Sequence, residues 1–96
     1  MRFVSEPLAP SGDEYLPCVD PADPPLPARF AWRGRVLAIA RVVRTWRSSK
    51  TDRGDAYLKR HWFEVELEDG STAQVYFDRA ARRGSDRWWL YAVSSL

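Results

Sequence analysis

Proline is missing from the last 69 of the 96 residues; all seven prolines lie between Pro7 and Pro27. Because proline removes a ladder donor and fixes φ, its absence leaves residues 28–96 free to form uninterrupted strands. Cysteine is limited to Cys18, so no internal disulfide can staple the chain, and a secreted disulfide framework is excluded. Histidine is limited to His61. A zinc site needs three or four ligands, usually at short local spacings. Cys18 and His61 stand alone, so no metal or other cofactor is expected. Gly54 and Gly84 are isolated, which excludes a Gly-rich phosphate loop, and no nucleophile-elbow sequence surrounds any serine. The longest apolar run, Val36–Ala40, is far too short to cross a bilayer, and Met1–Pro7 lacks the apolar core of a signal peptide. The expectation is a cytoplasmic protein without membrane contact.

What is abundant is arginine, thirteen against two lysines, and tryptophan, five in all. The net charge of +2 hides a gradient. Residues 1–27 hold one arginine against five acids. Residues 28–60 hold ten Lys/Arg against two acids, a surplus of +8, and residues 61–96 hold four against six. Such a basic third attracts phosphates or an acidic partner, and the acidic leader could compete for the same site. The division is therefore a Pro-rich acidic leader, 1–27, and a small β domain, 28–96. A domain of that size buries only about 60% of its unfolded surface. It has no material for a two-layer enzyme with a deep pocket.

Five strands are predicted, near 28–33, 35–46, 61–68, 71–78 and 87–94. Arg33-Gly34 offers a two-residue turn that sets Trp32 against Arg35, Phe30 against Leu37 and Ala28 against Ile39. The following strand cannot alternate strictly, because Arg41 and Arg44 do not belong in a core. A bulge or bend between Ala40 and Val43 resolves this. Phe63, Val65 and Leu67 alternate with Glu64, Glu66 and Glu68. A three-residue loop with Gly70 at the left-handed position pairs Leu67 with Ser71, Val65 with Ala73 and Phe63 with Val75. Phe30, Leu37, Ile39, Phe63, Val65, Leu67, Val75 and Phe77 then form the core. Residues 48–59 read as a long polar loop, and Arg79–Arg82 as a helical turn stopped by Gly84. Residues 8–27 read as irregular or polyproline-like chain, with Arg2–Ser5 able to add a short strand. Which of Trp88 and Trp89 faces inward stays open. The fold class is all-β: a small five-stranded antiparallel SH3-like barrel, or a strongly curved sheet, behind an extended leader.

His61 begins a strand and is expected to point to solvent, so it is not a catalytic candidate; no catalytic residue is assigned. The row Glu64, Glu66, Glu68 is the solvated side of a half-buried strand, which also discourages edge pairing. The chemistry that remains is basic and aromatic together. Arg33, Arg35, Arg41, Arg44 and Arg47 share one hairpin with Trp32 and Trp46. Arginine forks onto phosphates and stacks on bases, and tryptophan offers a stacking platform. Those seven residues are the candidate nucleic-acid-binding set. The bland alternative is that arginine stems cover the rim of a small barrel and the tryptophans fill its core.

Phe3-Val4-Ser5-Glu6-Pro7, Phe30-Ala31-Trp32-Arg33-Gly34-Arg35, Trp46-Arg47, Trp62-Phe63-Glu64-Val65 and Trp88-Trp89-Leu90 resemble a family of small uncharacterised bacterial proteins, a domain of unknown function. The chain departs from that pattern in a longer leader and in Ala80-Ala81. The tryptophan-flanked strands also resemble the C-terminal domain of the polymerase-like subunit of the bacterial mutasome, which acts in error-prone translesion synthesis. That second resemblance implies a role in DNA damage tolerance and a translesion-synthesis protein as partner. The expected function is a non-enzymatic binding module, taking single-stranded nucleic acid on the Arg/Trp hairpin. The competing expectation is a protein-interaction adaptor that uses an exposed strand edge or aromatic surface.

Overall fold

Two short turns organise most of the chain. In the computed structural model, which describes residues 2–17, 24–47, 60–78 and 87–94, Arg33 and Gly34 both hold positive φ, 50° and 73°. That is the backbone a two-residue hairpin requires. It joins β4 (Arg29–Trp32) to β5 (Arg35–Arg47) with Trp32 opposite Arg35 and Phe30 opposite Leu37. The Ile39 amide donates to the Ala28 carbonyl at 2.9 Å. The second turn joins β6 (Arg60–Leu67) to β7 (Thr72–Asp78), with Gly70 at φ 89°. Here Asp69 Oδ1 accepts from the Ser71 amide at 2.9 Å, and the Gly70 amide donates to the Leu67 carbonyl. Phe63 lies opposite Val75 and Val65 opposite Ala73. Both registers are those the sequence predicts.

β5 bends as its arginines require. Ile39, Val42 and Thr45 lie opposite Leu67, Val65 and Phe63. The inward positions therefore step by three on β5 and by two on β6, and irregularities at Ile39/Arg41 and Val42/Arg44 absorb the extra residues. Arg41 and Arg44 consequently face outward, opposite Glu66 and Glu64.

The strand count is corrected. Six antiparallel strands, not five, form a closed barrel; with β1 spanning Arg2–Pro10 and β8 Trp88–Val93, the order is β1-β4-β5-β6-β7-β8. The added member is β1 (Arg2–Pro10), which runs well beyond Ser5 and pairs with both β8 and β4. Residues 8–27 are not irregular throughout either, since β2 (Tyr15–Leu16) pairs with β3 (Leu26–Pro27). The prolines permit this because of where they fall. Ser11 donates to Arg29, so by alternation Pro7 presents its nitrogen to the β4 side, past the last residue of β4. No ladder bond is lost there. Leu8 and Leu26 are buried, and Leu16 packs against the same cluster.

The core combines Phe30, Ile39, Phe63, Val65, Leu67 and Val75 with Trp32, Ala73, Trp88, Leu90 and Val93; Leu37 and Phe77 are partly buried against it. Trp88 is the inward tryptophan of its pair. Its ring meets Phe30, Phe63 and Phe77 at centroid distances of 5.4, 5.7 and 5.0 Å. His61 is a second correction. It is 2% exposed rather than solvated, because two residues before Phe63 is the same face of a strand. Thr45 Oγ1 donates its proton to the Trp62 carbonyl at 3.0 Å. With that proton committed, His61 Nε2, 2.7 Å from Thr45 Oγ1, is the donor to the hydroxyl oxygen. The imidazole also stacks on Phe63, centroids 4.9 Å apart. The loop at 48–59, the turn at Arg79–Arg82 and Cys18 lie outside the described residues.

Candidate binding surface

The seven predicted nucleic-acid contacts do not form one patch. Arg35 and Arg44 are nine positions apart on one extended strand, roughly 30 Å. Trp32 is 4% exposed and belongs to the core, so it offers no face for stacking. Its Nε1 donates to Glu6 Oε1 at 3.0 Å. Arg33 lies in the turn, its guanidinium 4.7 Å from the Trp32 ring centroid. It forks onto both oxygens of Glu6, with Nε to Oε1 at 2.9 Å. That guanidinium, together with the Trp32 indole, holds the Glu6 carboxyl below its usual range against a smaller opposing effect of desolvation. Arg35 is exposed beside Asp69, whose carboxyl is lowered chiefly by its bonds from Ser71 and in smaller part by Arg35.

Further along β5, Arg41 lies 3.3 Å from Glu66 and Arg44 3.3 Å from Glu64. Gln74 Nε2 also donates to Glu64, at 3.4 Å. Arg47 stands opposite His61 in the ladder. Together with Arg29–Glu14 and Arg33–Glu6, these make four ion pairs that each take an arginine from the 28–60 segment. Exposed pairs of this kind add little stability, typically about 0–1 kcal/mol. They do offset part of the field that the linear charge count implies, at Arg29, Arg33, Arg41 and Arg44. The acids are Glu6 of β1, Glu14, and Glu64 and Glu66 of β6, all distant in sequence from their arginines.

Trp46 belongs to a different constellation. Four outward aromatic residues lie directly opposite one another on adjacent strands: Trp46 on β5, Trp62 on β6, Tyr76 on β7 and Trp89 on β8. Pro7 of β1 continues the row beside Trp89. Trp46 and Trp62 are parallel within 4° at 6.0 Å, and Tyr76 and Trp89 within 5° at 6.2 Å. Trp62 also meets Tyr91 edge-on at 5.1 Å, and Tyr91 meets Phe3 at 5.3 Å. Arg44 lies 4.8 Å over Trp46 and Arg60 lies 4.7 Å over Tyr76. Tyr76 is buried beneath its neighbours, and that desolvation pushes its phenol up. Trp46, Trp62, Trp89 and Tyr91 are half-buried, while Phe3 at the end of the row is 71% exposed.

Sequence reasoning names Trp46 but misses the row. The signal was available: pairing Phe63 with Val75 places Trp62 against Tyr76 one residue along, on the outer face. Because Trp46 and Trp62, and Tyr76 and Trp89, turn faces toward each other and Arg44 and Arg60 lie over Trp46 and Tyr76, the row is an apolar ridge with fewer open faces than a set of free stacking platforms.

Among the described residues, no three His, Cys, Asp or Glu side chains are grouped to hold a metal ion. No helix there is long and apolar enough to cross a membrane. No curated protein matches the chain, and no solved structure matches it. The family model for a domain of unknown function (DUF6504) matches residues 1–95, nearly the whole chain, and the protein belongs to that family.

Proposed function

We propose that this barrel is a non-enzymatic binding module that docks a protein partner on its outer aromatic row. The carrying observation is the in-register line Trp46–Trp62–Tyr76–Trp89 across four strands. Aromatic rings give large apolar contact at low conformational cost and dominate the centres of protein interfaces. An apolar ridge with fewer open faces suits the apolar side chains of a folded partner better than nucleobases, which need them. Pairing of Arg33, Arg41 and Arg44 with Glu6, Glu66 and Glu64 argues in the same direction.

Nucleic acid is the rival reading, favoured by one observation: Arg44 and Arg60 sit over ring faces, where a base could displace them. The resemblance of the core to the mutasome subunit makes a translesion-synthesis protein the first partner to test. Purified translesion-synthesis subunits are passed over the immobilised chain, beside Trp62→Ala and Trp89→Ala variants. Labelled single- and double-stranded oligonucleotides are titrated by fluorescence anisotropy over a salt series. Capture lost in both variants, with no oligonucleotide binding, supports the protein reading. Salt-dependent oligonucleotide binding that Trp62→Ala weakens would replace it with the nucleic-acid one.

A further inference from the structure

At the opposite end of β5, one stretch of strand paired with β4 has no neighbour on its other side among the described residues. β5 starts at Arg35, but its ladder to β6 starts only at Ile39 opposite Leu67. Direction of the backbone groups follows from alternation. The Ile39 amide points to β4, and the Glu68 amide donates to the Ala38 carbonyl at 2.9 Å. Odd positions therefore face β4 and even positions face β6. The amide and carbonyl of Val36 point to the β6 side beyond the end of β6, and no described residue bonds to them. The edge of β1 beyond β4 is guarded by Pro7 and by the Glu6–Arg33 pair. Among the described residues the Val36 edge carries no proline, Arg35 is the one cation lining its cleft, and Val36 is 58% exposed.

This edge opens into two adjoining clefts, of ≈ 200 and ≈ 250 Å³. Leu37, Leu67, Val93 and Trp32 supply apolar walls, and Glu68 and Asp69 stand where β6 turns away. We propose that this cleft takes the free N-terminus of an extended segment of a partner protein, added as a short strand antiparallel to β5. The turn at Glu68–Asp69 blocks any strand that would run on past Ala38, so the segment must end there. Antiparallel to β5, that end is the N-terminus, and its ammonium meets Glu68 and Asp69. A parallel segment would bring a C-terminal carboxylate against the same two acids, and repulsion disfavours it. The segment's backbone pairs with Val36, and an apolar side chain enters the well formed by Leu37 and Leu67. Glu68 is exposed, and the bonds from Ser71 lower the Asp69 carboxyl below its usual range, with a smaller contribution from Arg35. This site is separate from the aromatic row and does not depend on it.

The test uses the full chain, labelled with nitrogen-15, and a pentapeptide Ala-Val-Thr-Val-Ser in two forms, free and N-acetylated. The free peptide is expected to shift the amide signals of Val36, Ala38 and Glu68 and to saturate. Acetylation is expected to weaken binding at least tenfold, as is Glu68→Lys, an exposed change that leaves the fold intact. Val36→Pro, which removes the edge donor, is expected to abolish it, with circular dichroism confirming that the variant is folded. Equal binding of the acetylated peptide, or no shifts around Val36 and Glu68 at millimolar peptide, overturns the proposal. Neither result bears on partner capture by the aromatic row.

Discussion

Replacing each of two adjacent tryptophans by alanine should have sharply unequal consequences. Trp88 is buried and its ring contacts Phe30, Phe63 and Phe77. Trp88→Ala leaves a void bounded by three aromatic rings. Removing an aromatic from such a site costs about 3–5 kcal/mol. That is a large share of the about 5–15 kcal/mol total of an ordinary domain. At about 4–8 °C per kcal/mol, the melting temperature falls by at least about 12 °C. Trp89 instead lies on the outer face, half-buried, stacked on Tyr76 at 6.2 Å. Trp89→Ala loses one ring pair and part of a contact area, about 1–2 kcal/mol. Urea titration followed by far-UV circular dichroism is the appropriate assay, since removal of a tryptophan alters the fluorescence itself. If Trp89→Ala costs as much as Trp88→Ala, the inward and outward faces of β8 have been exchanged and the aromatic row does not exist as described.

Thr45→Val should cost about 1–3 kcal/mol in the same assay, because it strips the His61 Nε2 proton and the Trp62 carbonyl of their shared hydroxyl; a neutral result would mean His61 is not held that way. Arg41→Glu with Arg44→Glu sets like charges opposite Glu66 and Glu64 and should destabilise by about 1–2 kcal/mol. Adding Glu66→Arg and Glu64→Arg should restore the loss, and failure of that swap would refute the pairing. Glu6 titrates below its ordinary value of 4.5 when folded, chiefly through Arg33. Its contribution is therefore present above that pH and lost as the solution acidifies through the lowered value. Glu6→Gln should flatten the fall in melting temperature below pH 4.5 relative to the native chain; parallel curves would show that the Glu6–Arg33 clamp contributes nothing.

Local chemistry was legible and long-range closure was not. Arg33-Gly34 and Glu68-Asp69-Gly70 each specify a turn within a few residues, so both hairpin registers could be read directly. The misfit of Arg41 and Arg44 in an alternating strand announced the irregularities in β5. By contrast, β1 pairs with residues at the far end of the chain, and nothing near Arg2–Pro10 announces that. Prolines that argue against a strand are silent when their missing donors fall outside the ladder. The arginine count was incomplete for a related reason: charge summed along the chain says nothing of acids that folding brings alongside, such as Glu6 to Arg33. His61 was misplaced although the period that buries Phe63 already included it.

The pairing of the first strand with the last sets a timetable for folding. Arg2 lies opposite Val93, 91 positions away. The two hairpins can form early, since each closes a loop of only a few residues, but the seam between β1 and β8 carries nearly the largest closure entropy the chain can offer. Topologies dominated by such distant contacts fold in milliseconds to seconds rather than microseconds. During synthesis the seam cannot form until Val93 has left the ribosome. For that interval Arg2–Pro10 is a strand without a partner, and β8's future neighbours have bare edges. Pro7 and Pro10 then matter before the native state exists: by interrupting the donor row of β1, they make it a poor template for the wrong chain.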